Sequence, residues 1–176
     1  IQTAGFLGTN RGIVNNSGAI ITNSGTITIS NTVGIGIHNL GGIITNNSGG
    51  IILITSLNSS GITNSIGSTL PNNSGGTITL SNGVGSQGIL TSGTITNSGT
   101  ITISNTGGVG LNFGGTITNS GTITNSGTMR HNFPGATYSG GGTLTNSGTG
   151  VLFLVGTITT NTNLSTLGYP PNITTF

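Results

Sequence analysis

Two stretches of the chain repeat one another and decide its fold: Gly25-Thr-Ile-Thr-Ile-Ser-Asn-Thr-Val-Gly-Ile-Gly-Ile37 and Gly99-Thr-Ile-Thr-Ile-Ser-Asn-Thr-Gly-Gly-Val-Gly-Leu111. A third, partial copy begins at Gly76 and reads Gly-Thr-Ile-Thr-Leu-Ser-Asn-Gly-Val-Gly. In each copy an apolar residue alternates with threonine or serine, and a period of two is typical of a β-strand. We therefore expect strands with one apolar face and one hydroxylated face.

The repeats follow a longer period as well. The hexad Gly-Thr-Ile-Thr-Asn-Ser begins at Gly93, Gly115 and Gly121, and the triplet Asn-Ser-Gly occurs eight times. Intervals of about 21 to 27 residues separate equivalent apolar positions, and a period of this length is typical of solenoids. The equivalent positions are Ile27, Ile51 or Ile52, Ile78, Ile101, Ile123 and Leu144.

These periods predict an all-β fold, a β-solenoid of about seven coils with three short strands per coil, occupying residues 1–160 as one domain. A right-handed parallel β-helix is favoured, with Ile27, Ile78, Ile101, Ile123 and Leu144 in one internal row. A left-handed hexapeptide β-helix is the alternative, since apolar residues also recur every six positions, but the long period is not a multiple of 18. At the corners, Asn and Gly are expected to accept left-handed backbone angles, and stacked Asn side chains to form hydrogen-bonded ladders.

Three segments depart from the repeat. Residues 56–73 and 129–142 are expected to be irregular loops, and residues 161–176 an extended tail in which Pro170 and Pro171 hold the backbone open. The apolar run at 151–155 is far shorter than the roughly 18 apolar residues of a membrane span. A core strand or an end cap is favoured for this run over a membrane-inserting wedge.

The composition excludes several classes of protein. The chain has no Asp or Glu and only two cationic side chains, Arg11 and Arg130, so it cannot form the basic patch of a nucleic-acid-binding protein. Without a carboxylate, His38 and His131 have no partner to orient them as general acids or bases, and we expect no enzyme activity. We also expect no metal site, no cofactor and no membrane span.

The tandem Gly-Thr-Ile-Thr-Asn-Ser and Asn-Ser-Gly-Thr-Ile units, between about Asn15 and Thr159, resemble the passenger repeats of bacterial autotransporter and filamentous-haemagglutinin-type surface adhesins. The resemblance implies a right-handed parallel β-helix at the cell surface or outside the cell. The chain departs from that family in lacking Asp, Lys and long loops. Many enzymes share the β-helix, so fold alone does not assign an activity.

Three functions agree with this sequence. The first is a non-catalytic structural subunit of an extracellular filament or surface fibre, a head-to-tail homopolymer that assembles through the solenoid ends. The second is a stalk or passenger fragment of a surface adhesin, which could contact glycans or other surfaces. The third is an ice-binding protein, because Thr-Ile-Thr occurs seven times and would present ranks of threonine on more than one face.

Two groups of residues are candidate contact sites. The tail and the first coil are expected to join neighbouring subunits, through Tyr169, Pro170, Pro171, Ile173 and Phe176 on one side and Phe6, Leu7, Ile13 and Val14 on the other. A small partner patch is expected in the second irregular segment, from Arg130, His131, Phe133 and Tyr138. Six Asn-x-Ser/Thr sequons, including those at Asn15, Asn46 and Asn72, agree with chance in a chain so rich in Asn, Ser and Thr.

Overall fold

The chain winds through three parallel β-sheets in turn. A computed structural model describes residues 2–4, 10–31, 34–56, 59–82, 87–105, 108–131, 136–146 and 152–154, and these residues form twenty strands and no helix. The sheets contain seven, seven and six strands, and neighbours in a sheet are three strands apart along the chain. Six coils therefore have all three strands and a seventh has two, close to the expected seven. The predicted all-β solenoid with three strands per coil is confirmed, and its handedness stays a prediction.

The three sheets are named A, B and C in the order in which the chain enters them. Sheet A contains β1 (Gln2–Ala4), β4 (Thr26–Asn31), β7 (Ile51–Ser56), β10 (Thr77–Asn82), β13 (Thr100–Asn105), β16 (Thr122–Asn125) and β19 (Thr143–Asn146). Sheet B contains β2 (Asn10–Asn16), β5 (Gly34–Leu40), β8 (Ser60–Asn64), β11 (Gln87–Thr91), β14 (Val109–Phe113), β17 (Thr128–His131) and β20 (Leu152–Leu154). Sheet C contains β3 (Ile20–Asn23), β6 (Ile43–Asn46), β9 (Thr69–Asn72), β12 (Thr94–Asn97), β15 (Thr116–Asn119) and β18 (Thr137–Ser139).

Apolar side chains stack in columns along the solenoid axis because strand register keeps like residues opposite each other. In sheet A the pairing aligns Ile27, Ile52, Ile78, Ile101, Ile123 and Leu144. All six are buried, so the predicted internal row is confirmed. A second buried column in sheet A contains Ile29, Ile54, Leu80 and Ile103, and sheets B and C each add one. Together these columns form one continuous core.

The corners explain why the coils shorten along the chain. Paired positions in sheet A lie 26 residues apart between Ile51 and Thr77 but 22 apart between Thr100 and Thr122. In the first of these coils the corner from sheet C to sheet A reads Asn-Asn-Ser-Gly-Gly and four residues separate β8 from β9, whereas in the second coil the corner reads Asn-Ser-Gly and two residues separate β14 from β15. In the longer corner Gly75 has φ 78°, a left-handed angle that glycine adopts without steric cost.

Asparagine does not take that role. No non-glycine residue among the described ranges has a positive φ, so the expectation of left-handed Asn at the corners is wrong. The Asn residues instead contribute through their side chains, which hydrogen-bond along the axis and form the predicted ladders.

One amide ladder closes the corner at the end of sheet C. Each Asn except the last donates from its Nδ2 to the Oδ1 of the Asn in the next coil at 2.7–2.8 Å. All five also donate to a backbone carbonyl at the start of the sheet A strand two coils further on, at 3.0–3.2 Å. The members, all buried, are Asn23, Asn46, Asn72, Asn97 and Asn119. Because buried polar groups must find partners, these bonds satisfy both the amides and the corner carbonyls.

A second, shorter ladder closes the corner at the end of sheet B. Asn15 donates to Asn39, and Asn39 donates to Asn64, each at 2.9 Å. Asn64 then donates to the hydroxyl of Thr91 at 3.1 Å, where the next coil has no Asn. The predicted hydrogen-bonded ladders are therefore confirmed at two corners.

The two segments predicted to be irregular loops contribute regular strands. Residues 56–73 contain β8 and β9, and residues 129–142 contain β18 and all but the first residue of β17. The prediction was wrong because neither segment contains the Gly-Thr-Ile-Thr unit that marks strands elsewhere, although each strand places one apolar residue in the core, such as Ile62 or Leu70. Pairing with neighbouring coils sets their register.

The C-terminal segments are described only in part. Leu152–Leu154 forms β20 and pairs with β17 in sheet B, in agreement with a strand in the 151–155 run. The predicted tail at 161–176 lies outside the described residues.

Candidate binding surfaces

The outer face of sheet A presents two ranks of threonine in register. On four successive coils the sequence Thr-x-Thr stands at the same position, with isoleucine or leucine at x pointing into the core. The first rank contains Thr77, Thr100, Thr122 and Thr143, and the second contains Thr79, Thr102, Thr124 and Thr145. Sheet A thus forms a regular surface of hydroxyl and methyl groups.

In the third coil, aliphatic residues replace threonine in both ranks. Ile51 and Leu53 occupy the threonine positions and are 43% and 38% exposed, with Thr26 and Thr28 beyond them in the second coil. On sheet C, Ile20 and Ile43 occupy the equivalent first position. The exposed aliphatic residues at these positions were not predicted, although the sequence shows Ile-Ile-Leu at 51–53 in place of Thr-Ile-Thr.

Sheet C has a second threonine surface, as the consecutive hexads predicted. Thr94, Thr116 and Thr137 align in one rank, but Pro71 breaks the other. Since proline has no N–H, β6 and β9 pair only at their ends. On sheet C the hydroxyls bond to each other: Thr137 to Thr116 at 3.2 Å, and Thr118 to Ser139 at 3.4 Å.

Sheet B carries every arginine and histidine of the chain. Arg11, His38, Arg130 and His131 lie on β2, β5 and β17. Burial of the ring, and secondly the positive charge of Arg11, lower the pKa of His38 below its usual 6.5. Its Nε2 lies 3.4 Å from the Ser65 hydroxyl, and its Nδ1 is buried without a hydrogen-bond partner in the described part of the chain.

The predicted partner patch does not form as expected. Tyr138 is only 2% exposed, because it takes the core position that Ile117 occupies one coil earlier and its ring packs 6.3 Å from that of Phe113. Burial raises the pKa of Tyr138 to about 12, and the nearby Asn119 side chain offsets part of that shift. The hydroxyl nevertheless has no hydrogen bond of good geometry to a described residue. Tyr138 is a core residue and is removed from the patch.

The other members of the patch are described unevenly. Arg130 is exposed on β17, where it pairs in register with Asn112 and Phe153. His131 ends the same strand, and its side chain lies outside the described set, as does Phe133. A role for Arg130 in partner binding stays a prediction.

The predicted assembly contacts fall mostly outside the described residues. Phe6, Leu7, Tyr169, Pro170, Pro171, Ile173 and Phe176 are in this group. Ile13 is partly buried against the core, whereas Val14 on the same strand is 42% exposed. Of the described contacts, Val14 therefore offers more surface to a neighbour than Ile13.

Three of the sequons are buried. Asn15, Asn46 and Asn72 are ladder members whose amide nitrogens already donate hydrogen bonds, so these sequons cannot accept a glycan in the folded chain.

The described residues contain no group of three or more His, Cys, Asp or Glu that could hold a metal ion. They also contain no helix long and apolar enough to cross a membrane.

Comparisons with known proteins add no relative. No protein-family model, no curated protein and no solved structure matches the chain. The resemblance to adhesin passenger repeats therefore stays a prediction, and the chemistry of the chain's own surfaces carries the functional argument.

Proposed function

We propose that the chain is a non-catalytic structural subunit of an extracellular filament or surface fibre, which joins copies of itself head to tail. The observation that carries this proposal is the polarity of the rod. All strands of the described residues pair in parallel, and both amide ladders donate toward the higher-numbered coil. If a second copy continues the rod in the same direction, the strands at the junction can pair in parallel, as they do within the chain. A head-to-head junction would place antiparallel strands against each other and would not continue this pattern.

The outer surface supports association because it provides little charge repulsion. Both arginines lie on sheet B, and with no Asp or Glu in the chain, sheets A and C carry no formal charge. The outer faces of sheets A and C are rich in Thr and Asn and have no charged side chain, so charge repulsion does not oppose contact between copies.

The absence of Asp and Glu from the full sequence also supports a non-catalytic role. Acid–base catalysis would have to rely on His38 and His131, and neither can be oriented by a carboxylate. The purified chain should therefore not turn over polygalacturonate or other polysaccharides, and a chelator should leave its melting temperature unchanged.

An adhesin stalk is the alternative function for the same rod. It uses the solenoid as a rigid spacer and needs no contact between copies, so the two proposals differ in one property, self-association. Both place the chain at the cell surface or outside the cell, which is where the resemblance to passenger repeats puts it.

Sedimentation velocity over a range of protein concentration tests the proposal. We expect species that grow with concentration and that change little with salt, since the contacts are uncharged. A single monomeric species at every concentration would instead favour the stalk. A second sample that ends at Gly168 lacks the predicted connector, Tyr169 to Phe176. If this sample associates as well as the full chain, the tail is not the connector.

A further inference from the structure

Beyond the structural role, we propose that the outer face of sheet A binds ice. The ligand is crystalline water, and the site is the pair of threonine ranks on β10, β13, β16 and β19. Its members are Thr77, Thr79, Thr100, Thr102, Thr122, Thr124, Thr143 and Thr145.

The ranks form a two-dimensional lattice. Parallel strands lie about 4.8 Å apart, and alternate residues on one strand lie about 6.6 Å apart. Hydroxyl groups at these two perpendicular spacings resemble the repeat of oxygen atoms on exposed planes of hexagonal ice. No β-bulge interrupts the pairing from β7 to β19, whereas the register of sheet B shifts between Val109 and Leu111. Sheet A is therefore the sheet whose lattice stays regular over the whole array.

The hydroxyls on sheet A are available to water. No hydrogen bond joins any of the eight to another protein atom of the described residues, and none is buried without a partner. On sheet C, by contrast, Thr116 bonds to Thr137 and Thr118 bonds to Ser139. Sheet C hydroxyls thus satisfy part of their bonding capacity within the protein, and this difference identifies sheet A as the binding face.

The threonine positions are also rigid. Between the two ranks, each strand is anchored in the buried column by one aliphatic residue: Ile78, Ile101, Ile123 or Leu144. Threonine itself has few rotamers because it is β-branched, so little side-chain entropy is lost when the face meets a solid. Each residue adds a methyl group beside its hydroxyl, so the surface holds water between apolar groups at fixed positions.

The aliphatic residues Ile51 and Leu53 limit the number of coils over which the threonine array is continuous. Coils on either side of it have threonine in both ranks: Thr26 and Thr28 before it, Thr77 and Thr79 after it. Replacing the two aliphatic residues with threonine would join these parts into one array across six coils. A larger uninterrupted face should hold ice more strongly.

Thermal hysteresis and partitioning into a growing ice hemisphere test the proposal on four samples. The parent chain should show both activities, and Thr102→Tyr, which places a large ring in the middle of the array, should lose most of them. The matched change Thr118→Tyr, at the same position of a Thr-Ile-Thr unit on sheet C, should retain more than half. The double variant Ile51→Thr, Leu53→Thr should exceed the parent.

Circular dichroism and melting temperature establish that each sample is folded, since all four substitutions lie on the outer surface. No activity in the parent would overturn the proposal, and so would equal losses from Thr102→Tyr and Thr118→Tyr. A double variant no more active than the parent would overturn the assignment of a continuous face. Self-association is measured separately by sedimentation, so failure of ice binding leaves the filament proposal standing.

Discussion

Sheets A and B share one core but present different outer faces. Sheet A repeats threonine at the same two positions over four coils, while sheet B carries all the arginine and histidine of the chain and a shift of register at Val109. Inside, both sheets stack aliphatic residues in columns. The difference teaches that the inner columns and the corners specify the fold, and that outer residues can serve other purposes.

The inner faces of the two sheets are complementary. Sheet A fills the core with two aliphatic columns, whereas sheet B has one column and a row of inward glycines. A Cβ placed on Gly88 would meet the side chain of Ile103 and lie 2.5 Å from the carbonyl oxygen of Gly110. The glycines therefore make room for the second column of sheet A.

The largest expected effect separates the inner and outer sides of one sheet A strand. Ile101→Asp places an unpaired charge in the buried column, and we expect a loss of roughly 4 kcal/mol or more in unfolding free energy. Thr102→Asp, one residue later on the outer face, should change it by no more than about 1 kcal/mol. Chemical denaturation of the three proteins measures both. Similar unfolding midpoints for the two variants would contradict the inward assignment of Ile101.

The amide ladder should give an intermediate effect. Asn72 donates to Asn97 and accepts from Asn46, so Asn72→Ala leaves a buried donor and a buried acceptor without these partners. We expect a loss of about 2–3 kcal/mol, the cost of leaving such groups unsatisfied. Asn73→Ala is the matched control, because this neighbouring side chain is exposed and bonds to Asn47 at 3.1 Å on the surface. Its loss should stay within about 0.5 kcal/mol, and equal losses at both positions would mean that the ladder is not a stabilising element.

The smallest expected effect is a pH dependence carried by sheet B. The folded pKa of His38 is lowered from 6.5 by burial and by Arg11, so the unfolded chain binds protons more readily than the folded one. The contribution of His38 to stability is therefore complete above about pH 6.5 and is lost as the pH falls through the folded pKa. The melting temperature should be constant between about pH 7 and pH 9. It should decline only slightly toward pH 5, because the chain has no Asp or Glu that would titrate there.

The variant His38→Asn provides the control for that profile. It should keep a flatter melting temperature over the same range, since the group that titrates on β5 has been removed. An equally steep decline in parent and variant would assign the pH dependence to another group.

The sequence was most informative where the repeat is strongest. Alternation in the copies at Gly25, Gly76 and Gly99 predicted the sheet A column correctly, since two inward residues per strand show a period of two. The consecutive Thr-Ile-Thr units at Thr94 and Thr100 also predicted threonine on two faces, and these units lie on sheets C and A. Repeated Asn at the corners predicted the ladders.

The sequence was least informative where neighbouring coils decide the structure. Strands β9 and β18 have short or irregular local patterns that predict loops, but pairing with β12 and β15 holds them in register. Tyr138 was expected on the surface because it stands among Arg130, His131 and Phe133 in sequence. Its burial follows from its alignment with Ile117 in the adjacent coil, which the local sequence does not reveal.

Electron microscopy of the purified full chain tests the central claim, self-assembly of a polar rod, most directly. Seven strands at about 4.8 Å spacing give a solenoid roughly 30 Å long, so a single molecule would appear as a short particle. We predict unbranched fibres many times that length, with the β-strands perpendicular to the fibre axis. Particles no longer than one solenoid at every concentration would contradict the claim.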